Sequence, residues 1–235
     1  MKWLSDVVCD NINNLYDFKE FRDGGATGTK NRYFKRNQEM IDDDGAADRL
    51  FQDQWWKSDF AKLIMVRQIT VPMFLKYCAE EKDPLNQEVG GFYNWHNDLP
   101  IMGKGKVTSL RTDYLMITGI NDPSEYEGGD LQVRLGSETY QYRLSKGESL
   151  FFDPNLWHKV MPVTSGERRV AVMWIETLVQ DEFIRELIYD YDDLITHVLA
   201  AIDSEKWKPD IDPTTYMNFV KYKLMRKYSS TYKLD

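Results

Sequence analysis

The sequence predicts a mainly β protein, a sandwich or barrel flanked by helices. Short runs rich in Val, Ile, Tyr, Phe and Trp recur between residues 69 and 177, turn residues separate them, and a helical period precedes and follows them. The 235 residues suit one large domain with helical extensions. We therefore predict an N-terminal helical segment over 1–64, a core over 65–180 and C-terminal helices over 181–235, packed as one compact domain.

The N-terminal segment is predicted to be helical at both ends. Residues 1–20 and 47–64 place apolar side chains close to helical spacing, so each range is predicted to form a helix. Residues 22–46 are charged and rich in glycine, as in Gly24-Gly25-Ala26-Thr27-Gly28, so this range is predicted to be irregular.

The core is predicted to consist of short strands joined by tight turns. Dipeptides such as Gly128-Gly129 and Ser165-Gly166 separate the apolar runs and favour turns. The predicted strands cover residues 69–77, 90–98, 107–120, 129–135, 138–144, 148–152, 157–161 and 168–177.

The helical period returns after the last strand. Apolar residues from Phe183 to Ile202 follow helical spacing, and Asp181 is placed to cap this helix. A last helix is predicted over 213–227, opened by Pro213. Because helices of this kind bury one apolar face, we expect them to pack outside the β core.

Composition excludes several classes of protein. The net charge of −8 disfavours a nucleic-acid binder, which normally shows a basic stripe. No apolar run reaches the ~18 residues of a membrane span. Two cysteines make no disulfide framework and no four-cysteine zinc site, so a reducing, cytoplasmic compartment is expected. Any histidine chemistry must use His96, His158 or His197, and His197 is interpreted as a helix residue that binds no metal.

A candidate metal site begins at Trp95-His96-Asn97-Asp98. Alternation along a strand places His96 and Asp98 on one face, where an imidazole and a carboxylate can bind one metal ion. This pattern is common by chance, and on this feature alone a core histidine beside a turn aspartate is the better explanation.

His158 supplies the possible third ligand, at the start of another predicted strand. Two histidines and one carboxylate from adjacent strands can occupy one octahedral face of Fe(II) and leave the opposite face open. A zinc hydrolase can use the same ligands, so the three residues alone do not identify the metal.

Arg168 favours the iron interpretation. It lies ten residues after His158 and shares a strand face with apolar residues, so its guanidinium is predicted to point inward. An inward arginine is costly unless it meets an anion, and a guanidinium binds a carboxylate in bidentate fashion. The C5 carboxylate of 2-oxoglutarate is such an anion. The alternative, a surface arginine beside Glu167, fits Arg169 better because Arg169 faces the other way.

At this point the residues resemble a known family, the PKHD-type hydroxylases, which belong to the prolyl-4-hydroxylase-like Fe(II)/2-oxoglutarate dioxygenases. The likeness runs from about residue 20 to residue 200, with order, spacing and flanks in agreement. The segments that carry it are Asp23-Gly24-Gly25-Ala26-Thr27-Gly28, Lys35-Arg36-Asn37-Gln38, Arg111-Thr112-Asp113, Asp122-Pro123, Gly128-Gly129-Asp130-Leu131, the run from His158 to Arg168, and Trp174-Ile175-Glu176-Thr177-Leu178-Val179.

The resemblance implies a double-stranded β-helix (jelly-roll) core with flanking helices. It implies Fe(II) bound by His96, Asp98 and His158, and 2-oxoglutarate bound by Arg168. The implied reaction uses O2 to hydroxylate an unactivated C–H bond of a protein side chain or small molecule, and it releases succinate and CO2. Ascorbate is an expected reductant.

Five further residues are candidates for the pocket wall, although core filling or an ion pair explains each of them as well. These residues are Tyr93, Trp95, Arg111, Phe152 and Trp174. Loops 99–106 and 121–129 are candidate mobile elements over the site. Lys104 and Lys106 are interpreted as solvated loop residues. Loop 99–106 and the residues beyond about 205 have no counterpart in the family pattern.

Two other functions remain open from the sequence. One is a jelly-roll module that binds a metal or ligand without turnover. The other is an oxygenase of the same chemistry that acts on nucleobases, against which the net charge of −8 weighs. The sequence predicts neither the hydroxylated substrate nor the oligomeric state.

Overall fold

The structure is a computed structural model that describes residues 1–27, 33–81, 90–103, 109–201 and 213–229. The chain divides into two compact units. The first comprises Met1–Ser58 and Gln68–Glu176, and the second comprises Asp59–Arg67 and Thr177–Asp235. The three-part division at residues 64 and 180 stays a prediction. None of the described helices has the length and apolar character that a membrane span requires.

The described segments form helices at both ends of the chain and strands between them. The helices are α1 (Asp6–Phe18), α2 (Ala46–Trp55), α3 (Asp59–Leu63), α4 (Glu182–Ala201) and α5 (Pro213–Tyr228). The strands are β1 (Phe21–Asp23), β2 (Lys35–Arg36), β3 (Gln38–Met40), β4 (Val66–Ile69), β5 (Met73–Cys78), β6 (Phe92–His96), β7 (Ile101–Met102), β8 (Leu110–Arg111), β9 (Tyr114–Gly119), β10 (Tyr126–Gly128), β11 (Leu131–Leu135), β12 (Glu138–Tyr142), β13 (Ser149–Phe152), β14 (His158–Val160) and β15 (Val163–Thr177).

Two large antiparallel sheets form the β core of the first unit, as predicted, and β7 pairs with β8 in a separate two-stranded sheet. The larger has the order β1-β3-β5-β15-β9-β13, with β4 and β10 also pairing with β15. The smaller has the order β12-β11-β14-β6-β2. Apolar side chains of both sheets form one buried cluster, which includes Leu75, Ile117 and Val172 from the larger sheet and Leu131 and Val160 from the smaller. This arrangement confirms a jelly-roll core.

Helices α1 and α2 cover the outer face of the larger sheet. The buried Tyr16 hydroxyl on α1 lies 3.2 Å from the Leu75 carbonyl oxygen and 3.0 Å from that of Val170. Phe51 on α2 packs edge-to-face against Phe74, with ring centroids 6.0 Å apart. The helices therefore pack on the outer face of β5 and β15, and the inner face of these strands packs in the core.

The second unit contains α3, α4 and α5. The Asp181 carboxylate accepts a hydrogen bond of 2.9 Å from the Ile184 backbone N–H, which confirms the predicted cap of α4. An ion pair between Lys221 and Asp192 joins α5 to α4. Helix α5 begins at Pro213, as predicted.

The N-terminal half departs from the sequence prediction in two places. Instead of one helix over 47–64 there are two, because the Ser58 hydroxyl bonds the Trp55 carbonyl at 2.7 Å and the chain tightens there. Residues 22–46 are not wholly irregular, since β2 pairs with β6 and β3 pairs with β5. These strands depend on distant partners that local composition does not reveal.

Two predicted features of the core are also corrected. The range 107–120 contains two strands, β8 and β9, within its described part. Ser165-Gly166 is not a turn, because β15 continues through it and pairs with β10, which lies in the predicted loop 121–129. Gly166 has a φ of +70°, and a Cβ there would lie 2.1 Å from the Glu125 carbonyl oxygen. The glycine therefore serves a close strand contact rather than a turn.

Candidate active site

Three side chains predicted as ligands converge in the first unit. His96 ends β6, His158 begins β14, and the two residues are paired across the small sheet. Asp98 follows β6, and its two carboxylate oxygens lie 3.9 Å from His96 Nε2 and 3.9 Å from His158 Nε2. One ligand atom from each of the three residues lies within 4.8 Å of the other two. This spacing fits three ligands around one metal ion.

Both imidazoles are oriented by backbone carbonyls. His96 Nδ1 lies 2.7 Å from the Asn94 carbonyl oxygen, and His158 Nδ1 lies 2.8 Å from that of Leu156. Because a carbonyl oxygen only accepts, each Nδ1 carries the proton and each Nε2 keeps its lone pair. A second hydrogen bond of this kind is the usual support for a metal-binding histidine.

The carboxylate is oriented in the same way. The Trp174 indole N–H donates a hydrogen bond of 2.8 Å to Asp98 Oδ2. Burial raises the pKa of Asp98, and burial together with the neighbouring His158 lowers the pKa of His96 to about 3. The imidazole of His96 is therefore neutral near pH 7, the form that binds metals, and a cation beside Asp98 favours its charged form.

The three side chains face a cavity of about 180 Å³. Its polar part contains the two histidines and the aspartate, and the rest is mainly apolar. The apolar lining comes from both sheets and includes Met73, Leu115, Ile117, Leu131 and Val172. A pocket of this kind admits a small ligand and excludes most water from it.

Arg168 is buried in the first half of β15, with 4% of its surface exposed, and it is not among the residues that line the cavity. Its strand face carries Val172 and Trp174, which line the cavity, as alternation predicts. The guanidinium lies 5.4 Å from the Tyr77 ring centroid and makes no ion pair with any carboxylate of the described residues. A Cβ at Gly129 would lie 3.0 Å from Arg168 Cδ, so this glycine makes room for the arginine.

The neighbouring Arg169 takes the surface role that the sequence assigns to it. Its guanidinium bonds Glu167 at 2.6 Å and Asp17 at 3.0 Å. Arg168 is therefore the arginine that presents a buried positive charge without a carboxylate partner among the described residues.

The predicted wall residues separate into two groups. Tyr93 and Trp174 line the cavity, and Tyr93 stacks on His96 with ring centroids 3.5 Å apart. Phe152 is buried and packs edge-on against His158, but it does not line the cavity. The prediction that Trp95 lines the pocket is wrong, because this residue lies on the opposite face of the sheet. There the charged groups of Arg134 and Lys159 lie over its ring.

A bulge in β6 explains the position of Tyr93. His158 pairs with His96 and Val160 pairs with Tyr93. Between these two pairs the chain moves three positions along β6 but only two along β14. The extra residue reverses the alternation, and Tyr93 and His96 therefore share a face despite their odd separation.

Arg111 has a structural role. It makes a bidentate ion pair with Asp113 at 2.6 and 2.7 Å and lies 3.6 Å from Glu176. It does not line the cavity. His197 is exposed on α4, and its Nδ1 lies 2.8 Å from the Asp193 carbonyl oxygen. Lys104 and Lys106 lie outside the described residues.

Tyr77 and Lys35 are among the cavity residues that the sequence did not predict. Tyr77 lies on β5 opposite Arg168, and burial raises its pKa well above the ordinary value. Alternation along the predicted strand 69–77 indicates an inward side chain at this position. Lys35 lies on β2, a two-residue strand that is too short to show a periodic pattern in the sequence.

Comparison with known proteins agrees with this geometry. The model of the 2OG-Fe(II) oxygenase superfamily matches residues 83–176. A PKHD-type hydroxylase of Acidovorax ebreus is 30% identical over 96% of this chain and 96% of its own length. The chain belongs to the PKHD-type hydroxylase family. A second member, from Teredinibacter turnerae, is 33% identical over 60% of each chain.

Solved structures support the fold of this PKHD-type hydroxylase. A prolyl hydroxylase from Trichoplax adhaerens, in complex with a hypoxia inducible factor peptide, aligns with a TM-score of 0.54 at 16% identity, covering 74% of this chain and 80% of that one. A Pseudomonas putida prolyl-4-hydroxylase gives a TM-score of 0.50 at 12% identity, covering 75% and 90%.

The PKHD-type hydroxylase is an Fe(II)- and 2-oxoglutarate-dependent dioxygenase. Membership of this family favours an enzyme over a binding module without turnover, and iron over the zinc hydrolase that the three ligands alone leave open. Its cosubstrates are 2-oxoglutarate and O2.

Proposed function

We propose that His96, Asp98 and His158 bind the catalytic Fe(II). The observation that carries this proposal is the convergence of their three ligand atoms within 4.8 Å at one wall of a cavity. The chemistry of the donor set agrees, since two imidazoles and one carboxylate on one face suit a non-haem Fe(II) site. The backbone carbonyls that hold both Nδ1 atoms add support because they aim the Nε2 lone pairs at a common point.

We propose that Arg168 binds the C5 carboxylate of 2-oxoglutarate. A buried guanidinium without a carboxylate partner is expensive, and a dicarboxylate cosubstrate supplies the missing anion. Tyr77 lines the cavity, and its ring centroid lies 5.4 Å from the Arg168 guanidinium, so its hydroxyl is a candidate second contact to that carboxylate.

With both cofactors bound, Fe(II) and 2-oxoglutarate activate O2 for hydroxylation of an unactivated C–H bond, releasing succinate and CO2. The chain orients the ligands through Trp174, Asn94 and Leu156, and its apolar lining excludes water from the reacting groups. We propose a protein side chain or a small molecule as substrate. The net charge of −8 disfavours the nucleobase alternative.

Two further assignments are proposals. Ascorbate as reductant is supported by the family resemblance. A reducing, cytoplasmic compartment is supported by Cys9 and Cys78, which are both free thiols.

The proposed site is tested by binding and turnover of the purified protein. Under anaerobic conditions we expect one Mn(II) per chain, measured by electron paramagnetic resonance, and 2-oxoglutarate binding that requires the metal, measured by calorimetry. With Fe(II) and air we expect succinate to accumulate. Stoichiometric metal binding at another site, or 2-oxoglutarate binding that ignores the metal, would contradict the assignment.

Trp174→Phe is expected to weaken metal binding. The variant keeps an aromatic ring in the wall but loses the N–H that holds Asp98, and loss of such a support lowers metal affinity about 10-fold or more. Trp3→Phe is the matched control, because its indole N–H bonds the Ser149 hydroxyl at 2.6 Å, away from the cavity. Equal Mn(II) affinities for the two variants would show that the Trp174 hydrogen bond does not support the metal.

A further inference from the structure

Lys35 places a buried cation in the cavity wall. Only 5% of its surface is exposed, and it lines the same cavity as His96, Asp98 and Tyr93. Its Nζ lies 4.8 Å from the Tyr93 ring centroid. The neighbouring Tyr93 stacks on His96, so the ammonium belongs to the part of the cavity that carries the metal ligands.

The ammonium of Lys35 is incompletely satisfied. It donates one hydrogen bond of 2.9 Å, to the Gly24 carbonyl, and it forms no ion pair with a described carboxylate. An ammonium has three N–H donors, so two have no hydrogen-bond partner among the described residues and are available to a ligand. Burial lowers the pKa of Lys35, as expected for a charge removed from water without a carboxylate in contact.

Three carboxylates act on Lys35 through their charge, and all three are engaged elsewhere. Asp23 is exposed and accepts the Gly25 backbone N–H at 2.8 Å, and the other two are Glu39 and Asp98. Glu39 pairs with Arg22 at 2.6 Å and accepts the Thr27 hydroxyl at 2.7 Å. Asp98 accepts the indole N–H of Trp174 and faces the two histidines. None of the three carboxylates serves as the direct partner of the ammonium.

The charges of the loaded site do not balance without another anion. Fe(II) brings two positive charges, and Lys35 and Arg168 bring one each. Asp98 and the two carboxylates of 2-oxoglutarate bring three negative charges. One positive charge remains, and a buried charge without a partner is costly.

We propose that Lys35 binds the carboxylate of the hydroxylated molecule and that this substrate is a small monocarboxylic acid. The inference rests on the proposed function, because it assumes that one carboxylate of 2-oxoglutarate binds Arg168 and the other binds the metal. The apolar part of such a substrate would meet Leu99 and Met102, which also line the cavity. The competing source of a carboxylate at Lys35 is 2-oxoglutarate itself.

The test uses the full-length protein loaded anaerobically with Mn(II) and saturating 2-oxoglutarate. Calorimetry compares the binding of hexanoate with that of hexanamide, which has nearly the same shape and no charge. We expect hexanoate to bind at least about tenfold more tightly, the factor expected for one buried charge-assisted contact. Lys35→Met should lose this preference, and Lys35→Arg should retain it.

Matched variants separate the possible causes. Lys76→Met removes a lysine whose Nζ lies 3.9 Å from the Phe21 ring centroid, away from the cavity, and should keep the preference for hexanoate. Lys35→Gln keeps a donor for the Gly24 carbonyl and should lose the preference even if Lys35→Met does not fold. The affinities for Mn(II) and 2-oxoglutarate should be unchanged in Lys35→Met and Lys35→Gln, provided that each variant folds.

Three results would overturn the inference. The first is equal or undetectable binding of hexanoate and hexanamide to the wild-type protein. The second is a preference for hexanoate that survives in Lys35→Gln. The third is weaker 2-oxoglutarate binding in that variant, which would assign Lys35 to the cosubstrate. In each case intact binding of Mn(II) and 2-oxoglutarate by the wild-type protein would leave the proposed function standing.

Discussion

His158→Ala should abolish metal binding and succinate formation while leaving the fold intact. His158 is 3% exposed and supplies one of three ligand atoms, so its loss leaves two ligands for the metal. Loss of a supporting residue alone costs up to about 100-fold in metal affinity, and removal of a ligand should cost more. Mn(II) titration and succinate assays measure the two effects.

The chain offers a matched control for this variant. His197→Ala removes an exposed histidine on α4 and should retain wild-type metal affinity and activity. Thermal unfolding of both variants checks the fold, since His158→Ala also removes contacts with Phe152. Metal-dependent turnover by a folded His158→Ala protein would refute the proposed ligand set.

Arg168→Met should raise the KM for 2-oxoglutarate by about 100-fold, which corresponds to about 2.7 kcal/mol. The variant keeps most of the side-chain volume beside Tyr77 and Gly129 but removes the buried charge. Because the effect acts on cosubstrate binding, most of kcat should return at saturating 2-oxoglutarate. Steady-state kinetics and calorimetry with Mn(II)-loaded protein measure these quantities.

Arg169→Met is the control, since Arg169 bonds Glu167 and Asp17 on the other strand face and should not affect the KM. A second comparison uses 2-oxobutyrate, which lacks the C5 carboxylate. The wild-type protein should strongly prefer 2-oxoglutarate, and Arg168→Met should lose much of that preference. An unchanged KM for 2-oxoglutarate in Arg168→Met would show that another residue binds the C5 carboxylate.

Much of the site could be predicted from the sequence because strand alternation and spacing are local properties. The pair His96 and Asp98, and the inward face of Arg168, follow from the twofold period of a strand. The same rule explains the surface position of Arg169. The family resemblance joined His158 to the first two ligands, and the pairing of β14 with β6 in the structure gives the physical reason.

The other site residues could not be predicted, because their positions depend on strand pairing between distant segments and on an irregular strand. Lys35 enters the cavity wall only because β2 pairs with β6 far along the chain. Trp95 was wrong as a wall residue, and alternation already places it opposite His96. Tyr93 lines the cavity only because of the bulge, which a strict twofold period does not predict.

The bulge in β6 makes the number of residues between Tyr93 and His96 critical to the site. Deleting one residue between Tyr93 and His96 would restore regular pairing and turn either the tyrosine toward solvent or the histidine out of the cavity. Substitutions at Asn94 leave this count unchanged. We therefore expect a one-residue insertion or deletion between Tyr93 and His96 to impair metal binding more than a substitution at Asn94.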